Sequence, residues 1–148
     1  MDESSEVLSV KTLRWDRQLF MTGEVELMSC PGVIDVTGRA RYLVFGPFVA
    51  LDPGAWRARV SLELCADAAQ RPIAVQFGAE PDYTTVDLPR GAQGLHEVEI
   101  EHQIRSGDLA QIRVWLKRAA FHGELRFGGA ELHRVPAVDH ALQDTGRP

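Results

Sequence analysis

The amino-acid sequence predicts an all-β protein, an antiparallel β-sandwich of eight or nine strands. Three observations carry this: runs in which every second residue is apolar, turn-forming residues between those runs, and almost no stretch with helical periodicity. The clearest run is Trp56 to Leu64, in which Trp56, Ala58, Val60, Leu62 and Leu64 alternate with Arg57, Arg59, Ser61 and Glu63. Successive side chains of a strand point to opposite faces, so this segment has one apolar and one polar face, whereas a helix would need apolar residues three and four apart.

Taken in order, the first 18 residues (1–18) mix charge with scattered apolar positions and read as an N-terminal arm, a loose tail followed by an arm or edge strand. The sandwich itself is expected over 19–135, with strands at Val25–Met28, Val33–Thr37, Tyr42–Leu51, Trp56–Cys65, Ile73–Phe77, Thr84–Leu88, Leu95–Ile104, Gln111–Lys117 and Gly123–Val135. Between them stand Cys30-Pro31-Gly32, Asp52-Pro53-Gly54, Glu80-Pro81-Asp82, Pro89-Arg90-Gly91 and Ser106-Gly107-Asp108. Each supplies a preset proline φ or a glycine able to take positive φ, which is the chemistry of tight turns. Gly128-Gly129 interrupts the last strand and predicts a bulge that keeps Leu125 and Phe127 in the core and re-aims Ala130, Leu132 and Val135. Residues 136–148 form a polar C-terminal tail.

The bulk numbers narrow the function. A chain of 148 residues, 45% hydrophobic and 25% charged, suits one domain with one core. Its net charge of -5 and its two lysines argue against a nucleic-acid partner, which would call for clustered positive charge. The excess of arginine over lysine, with abundant Ala and Gly, suggests a GC-rich bacterial genome. The acidic start Met1-Asp2-Glu3 is unlike a secretory leader, so the chain is expected in the cytoplasm if Met1 is its native start. No apolar window is long enough to span a bilayer. Cys30 and Cys65 lack metal or redox spacing and are expected as reduced structural thiols.

No catalytic motif emerges. The five histidines are never two apart on a strand face or four apart on a helix, and there is no Gly-x-Ser-x-Gly elbow or phosphate loop. Glu97, Glu99 and Glu101 invite a paired-carboxylate glycosidase reading, but same-face neighbours on one strand are more simply a solvated surface. His102 shares its parity with Ile100 and Ile104 and reads as a satisfied core or rim histidine, while His122, at a turn, is a candidate for a loop site. A hairpin of the Leu95 and Gln111 strands would set the glutamates beside Arg113 and Lys117.

Trp115 is the most informative ring. It has the parity of Arg113 and Lys117, opposite to Ile112, Val114 and Leu116, and so lies on a polar face. The preferred reading is an indole covered by the N-terminal arm or a loop, with Trp15 a candidate for the covering. Left uncovered, a ring with Arg113, Lys117 and Glu99 around it has the makings of a sugar site, in which the ring stacks on C–H faces and charged groups bridge hydroxyls.

The segment Val44 to Arg57, with Gly46-Pro47-Phe48, Leu51-Asp52-Pro53-Gly54 and then Trp56, resembles bacterial galactose-binding-like jelly-roll domains. Ile112 to Trp115 and Gly123 to Leu132 are similar to the last hairpin of those domains, and the likeness runs over 42–135. It implies a jelly-roll sandwich and non-catalytic binding of a carbohydrate or glycoconjugate. Some such domains hold a structural calcium near the first and last strands, where Glu24, Glu26 and Glu131 are the loosely matching acidic residues. The alternatives are a structural or assembly module, meeting a protein partner or a second copy through the Trp115 face or the arm, and, third, a small enzyme.

Overall fold

The computed structural model describes residues 12–136. The acidic start, the first residues of the expected arm and nearly all of the expected tail therefore lie outside the described residues. Two sheets face each other across one core. The chain runs through β1 (Thr12–Trp15), a 3-10 turn (Arg17–Leu19), β2 (Met21–Thr22), β3 (Met28–Ser29), β4 (Ile34–Asp35), β5 (Arg41–Ala50) and β6 (Gly54–Leu64). After the one-turn helix α1 (Ala66–Ala69) come β7 (Ile73–Ala79), β8 (Asp82–Asp87), β9 (Gly94–Ile104), β10 (Leu109–Leu116) and β11 (Glu124–Arg134). One sheet has the order β1-β11-β6-β9, with β4 also on β11, and the other has the order β3-β2-β5-β10-β7-β8. All pairings are antiparallel.

The long strands lie where the alternation places them, β4 falls within the expected Val33–Thr37, and the count rises to eleven because β1 and β2 are short pieces outside the nine expected strands. Val25–Met28 differs from expectation: only Met28 is in a strand, and Val25, 99% exposed, sits in the connection from β2 to β3. Thr12–Trp15, placed in the arm by the sequence, is the edge strand of its sheet, and Trp15 is buried with its ring 6.3 Å from Phe20.

The main correction concerns connectivity. β9 pairs with β6 and β10 with β5 and β7, so the short Arg105–Ala110 connection crosses between sheets and forms no hairpin. β10 and β11 are likewise in different sheets. From β5 onward every connection except β7–β8 passes from one sheet to the other, the winding of a jelly roll. The backbone edges of the two strands are taken by other partners: β9 pairs along its whole length with β6, and β10 is paired on both edges by β5 and β7, so Val98, Ile100 and Ile104 meet Ile112, Val114 and Leu116 across the core. The glutamates meet arginines of β6 instead: Glu99 lies opposite Arg59 at 3.3 Å and Glu101 opposite Arg57 at 3.3 Å. These exposed pairs each contribute at most about 1 kcal/mol.

Trp56, fully buried, donates its indole N–H to the Asp52 carbonyl at 2.8 Å, which ties the core to the turn before β6. The glycine pair does what the sequence implies: Phe127 pairs with Leu62 and Ala130 with Val60, leaving Gly128 and Gly129 opposite Ser61 alone. Gly129 has φ +86°, and a Cβ there would lie 2.5 Å from the Trp15 carbonyl oxygen. Cys30 and Cys65 are both free thiols. Burial pushes the Cys30 thiol up to about 11 from 9.0, against the opposing pull of Arg17.

Two measurements probe this frame. Gly129→Ala must displace β1 as well as adopt a disfavoured φ, so urea unfolding is expected to show a loss of about 2 kcal/mol or more. The protonated Cys30 contributes stability that is full below about pH 9, where the unfolded thiol is also protonated, and is lost as pH rises through about 11. Cys30→Ala is therefore expected to flatten the alkaline stability profile by about 2 kcal/mol between those limits.

Candidate functional site

The outer face of the six-stranded sheet is built in rows by strand register. One row is Pro47, Gln111, Gly78 and Tyr83; the next is Phe45, Arg113, Gln76 and Thr85; the third is Tyr42, Trp115, Ala74 and Asp87. Small residues on β7 leave room for large neighbours, and all seven residues of that strand are buried, including its outward ones. Gly78 contributes no side chain, and the Gln111 amide reaches across it to the Tyr83 hydroxyl, donating from Nε2 at 2.6 Å.

Arg113 organises the middle row. Its guanidinium carbon lies 4.2 Å from the centroid of Tyr42 and 3.8 Å from that of Tyr83, so the cation sits against two rings. Nε donates to Gln76 Oε1 at 3.0 Å and Nη1 to Glu80 at 3.2 Å, and Gln76 Nε2 in turn donates to Thr85 Oγ1 at 3.1 Å. Only 13% of the Arg113 side chain is exposed, which is sustainable because two of its donors are met, its charge is paired and two rings lie against it. Burial raises the Tyr83 hydroxyl above the ordinary phenol range, so it stays protonated, donating to Glu80 at 3.3 Å while accepting from Gln111.

Beside this network lies a cavity of about 460 Å³ walled by Tyr42, Phe45, Phe48, Arg41, Gln111 and Arg113, with a second of about 290 Å³ beyond Phe48 and Gln111. Phe48, Gln111 and Glu80 line both, so the two form one groove divided by these side chains. Gln111 is 4% exposed, and its Oε1 is buried without a hydrogen-bond partner among the described residues. A buried acceptor left unpaired is costly, and this one is closed off from the groove by its neighbours. Phe48 is the bulged residue between Val49, which pairs with Ala110, and Pro47, which pairs with Gln111. Its φ of +65° is a strained conformation for an aromatic residue, and it holds the ring 45% exposed at the wall of the groove.

The structure distributes the sequence candidates unevenly. Trp115, Arg113 and Lys117 share this face: the Trp115 ring is half-buried 6.1 Å from Tyr42, with Lys117 Nζ 5.3 Å from it and bonded to Asp87 at 2.6 Å. Trp15 does not cover Trp115, because it is buried in the other sheet. Glu99 is also on that other sheet, held by Arg59, and does not meet Trp115. His122 stands at a loop end, exposed, 3.4 Å from Asp67. His102 is buried, with Nδ1 sharing a hydrogen bond of 2.9 Å with the Thr84 hydroxyl.

The calcium candidates do not assemble. Glu24 pairs with Arg39 at 2.9 Å beside the groove, Glu131 pairs with Arg14 at 2.7 Å on the opposite sheet, and Glu26 is exposed. Among the described residues no three His, Cys, Asp or Glu side chains gather to hold a metal, so these residues do not fit a calcium site. No described helix is long and apolar enough to cross a membrane.

Sequence reasoning missed Tyr42, Phe45, Phe48, Gln111, Tyr83 and Arg41. Tyr42 and Phe45 are three apart and share a face only because Leu43 is bulged between the pairs Trp115–Tyr42 and Val114–Val44. The available signal was Gly46-Pro47 within a strand, which marks a bulge or an edge.

No protein-family description matches the chain, and no curated protein matches it in sequence. Among solved structures it is similar to a family-61 carbohydrate-binding module in complex with β-1,4-galactotriose, at 12% identity over 89% of this chain and 86% of that one, with a TM-score of 0.48. It is similar to a family-16 carbohydrate-binding module at 13% identity, over 66% and 73% of the two chains, with a TM-score of 0.44. A third is the Clostridium thermocellum endo-1,4-β-D-xylanase 10B, its family-22 binding module and GH10 module complexed with xylohexaose, at 9% identity and a TM-score of 0.41. That match covers 87% of this chain and 25% of the xylanase chain.

Two substitutions separate network from platform. Arg113→Ala removes the cation between the tyrosines and strands Gln76 Oε1, so chemical denaturation is expected to show a loss of about 1 to 3 kcal/mol. Phe48→Asn places a residue that tolerates positive φ at an exposed position, and stability is expected to stay within about 0.5 kcal/mol.

Proposed function

We propose that this protein is a non-catalytic carbohydrate-binding module whose glycan lies in the groove on the outer face of the six-stranded sheet. The observation that carries the reading is the groove itself, two adjoining cavities walled by the rings of Tyr42, Phe45 and Phe48 beside the Arg113 guanidinium. Pyranose rings offer C–H faces for such aromatic rings. The fixed guanidinium of Arg113 supplies charge-assisted recognition of a hydroxyl or ring oxygen beside them. Of Glu97, Glu99 and Glu101, the carboxylates that suggested a glycosidase, all on the other sheet, Glu99 and Glu101 are engaged by arginines of β6 and Glu97 stands opposite Ser61.

A glycan array followed by calorimetry tests this. Oligosaccharide binding is expected at micromolar to millimolar strength, and Phe48→Ala is expected to weaken it by roughly tenfold. Arg59→Ser, on the opposite sheet, should leave it unchanged. Absence of binding to any glycan, with the domain folded, removes the reading.

The assembly reading has one observation of its own. Val25, Leu27 and Met28 are exposed together around the edge strand β3. Sedimentation showing a concentration-dependent dimer that Leu27→Glu abolishes would put that reading first.

A further inference from the structure

The groove carries a positive charge that no carboxylate among the described residues pairs with. Of the guanidinium groups on the wall of the larger cavity, Arg39 is bound by Glu24 at 2.9 Å and Arg113 by Glu80 at 3.2 Å. Arg41, on the same wall, has no carboxylate in ion-pair contact among the described residues. It is held in place by neutral groups: Nη1 donates to the carbonyls of Arg39 at 2.9 Å and Val36 at 3.3 Å, and Nη2 to that of Asp35 at 3.3 Å. The Asp35 carboxylate feels the charge, but Asp35 is held below the ordinary range chiefly by hydrogen bonds from Thr37 and only in lesser part by Arg41.

Three backbone carbonyls therefore fix the guanidinium without cancelling it. They leave Nε–H and one N–H of Nη2 without acceptors among the described residues. A fixed guanidinium with donors to spare matches a carboxylate or a sulfate ester, each of which presents oxygens to a planar fork.

We propose, building on the glycan reading above, that the groove selects an acidic oligosaccharide, with the anionic substituent of one sugar docking at Arg41 while neighbouring rings lie against Tyr42 and Phe48. The shared chemistry is a fixed anion on a pyranose, and the two sources are a uronic acid and a sulfated sugar. The immobilised guanidinium loses little conformational freedom on binding, so the charge contributes to discrimination. A neutral chain leaves those two N–H groups to water.

The test is calorimetry on the full chain with a neutral galactotetraose, a tetragalacturonate and a sulfated carrageenan tetrasaccharide. At low salt one or both acidic probes are expected to bind roughly tenfold tighter than the neutral one, and which does so names the source of the anion. The advantage should shrink in 0.5 M sodium chloride (roughly a 4 Å screening length), while neutral binding changes little. Arg41→Gln is expected to bring acidic and neutral probes level, and Arg41→Lys to retain part of the preference through charge alone, with thermal unfolding showing that each variant is folded.

A neutral probe that binds as tightly as both acidic ones overturns the proposal and leaves the glycan reading standing. An acidic preference undiminished in Arg41→Gln overturns the assignment to Arg41. If that variant does not fold, a salt-independent preference in the wild type overturns it equally. Binding of no probe here or on an array of neutral and acidic chains overturns the glycan reading and this proposal with it.

Discussion

Side chains alternate along a strand, so β10 cannot commit Ile112, Val114 and Leu116 to the core without committing Gln111, Arg113 and Trp115 to the opposite face. β10 lies between β5 and β7, and its outward residues are flanked on both sides. An arginine there must have its charge and its donors met, and the tyrosines, Gln76 and Glu80 are arranged around that requirement. The groove is what remains where this network ends and the β5 side of the face begins.

Bulges then decide which residues reach the groove. Each inserts one residue on β5 opposite β10 and so resets parity, at Leu43 and again at Phe48. The first puts Tyr42 and Phe45 on one face; the second swings Phe48 out at positive φ to divide the groove. The glycine bulge in β11 serves packing instead, giving β1 a close approach through the Trp15 carbonyl. Two irregularities shape the site, and a third lets the edge strand dock.

The two outer faces differ in how their charges are held. On the five-stranded face arginines and glutamates stand opposite one another in strict register, exposed, each pair of small energetic weight. On the groove face charged groups are half-buried among rings and amides, and one guanidinium is anchored by carbonyls alone. A surface of the first kind keeps a protein soluble; one of the second kind confronts a ligand with fixed, partly desolvated groups.

The sequence by itself determined the all-β class, the positions of the long strands, the inward set on β6, β9 and β10, and the glycine bulge, because period-two burial and turn chemistry are local properties of the chain. It also put Trp115, Arg113 and Lys117 on one outward face, since parity is read from spacing. Only the tertiary structure decided that the turn after β9 crosses the core, which parted Glu99 from Trp115 and sent it to Arg59. A short connection is compatible with a hairpin and with a crossing, and the choice rests on how two apolar faces oppose each other, a property of strands distant in sequence. The same holds for Tyr42, Phe48, Gln111 and Arg41: their convergence depends on register and on bulges set by partner strands, and the unpaired state of Gln111 Oε1 and Arg41 exists only once every neighbouring group has been placed.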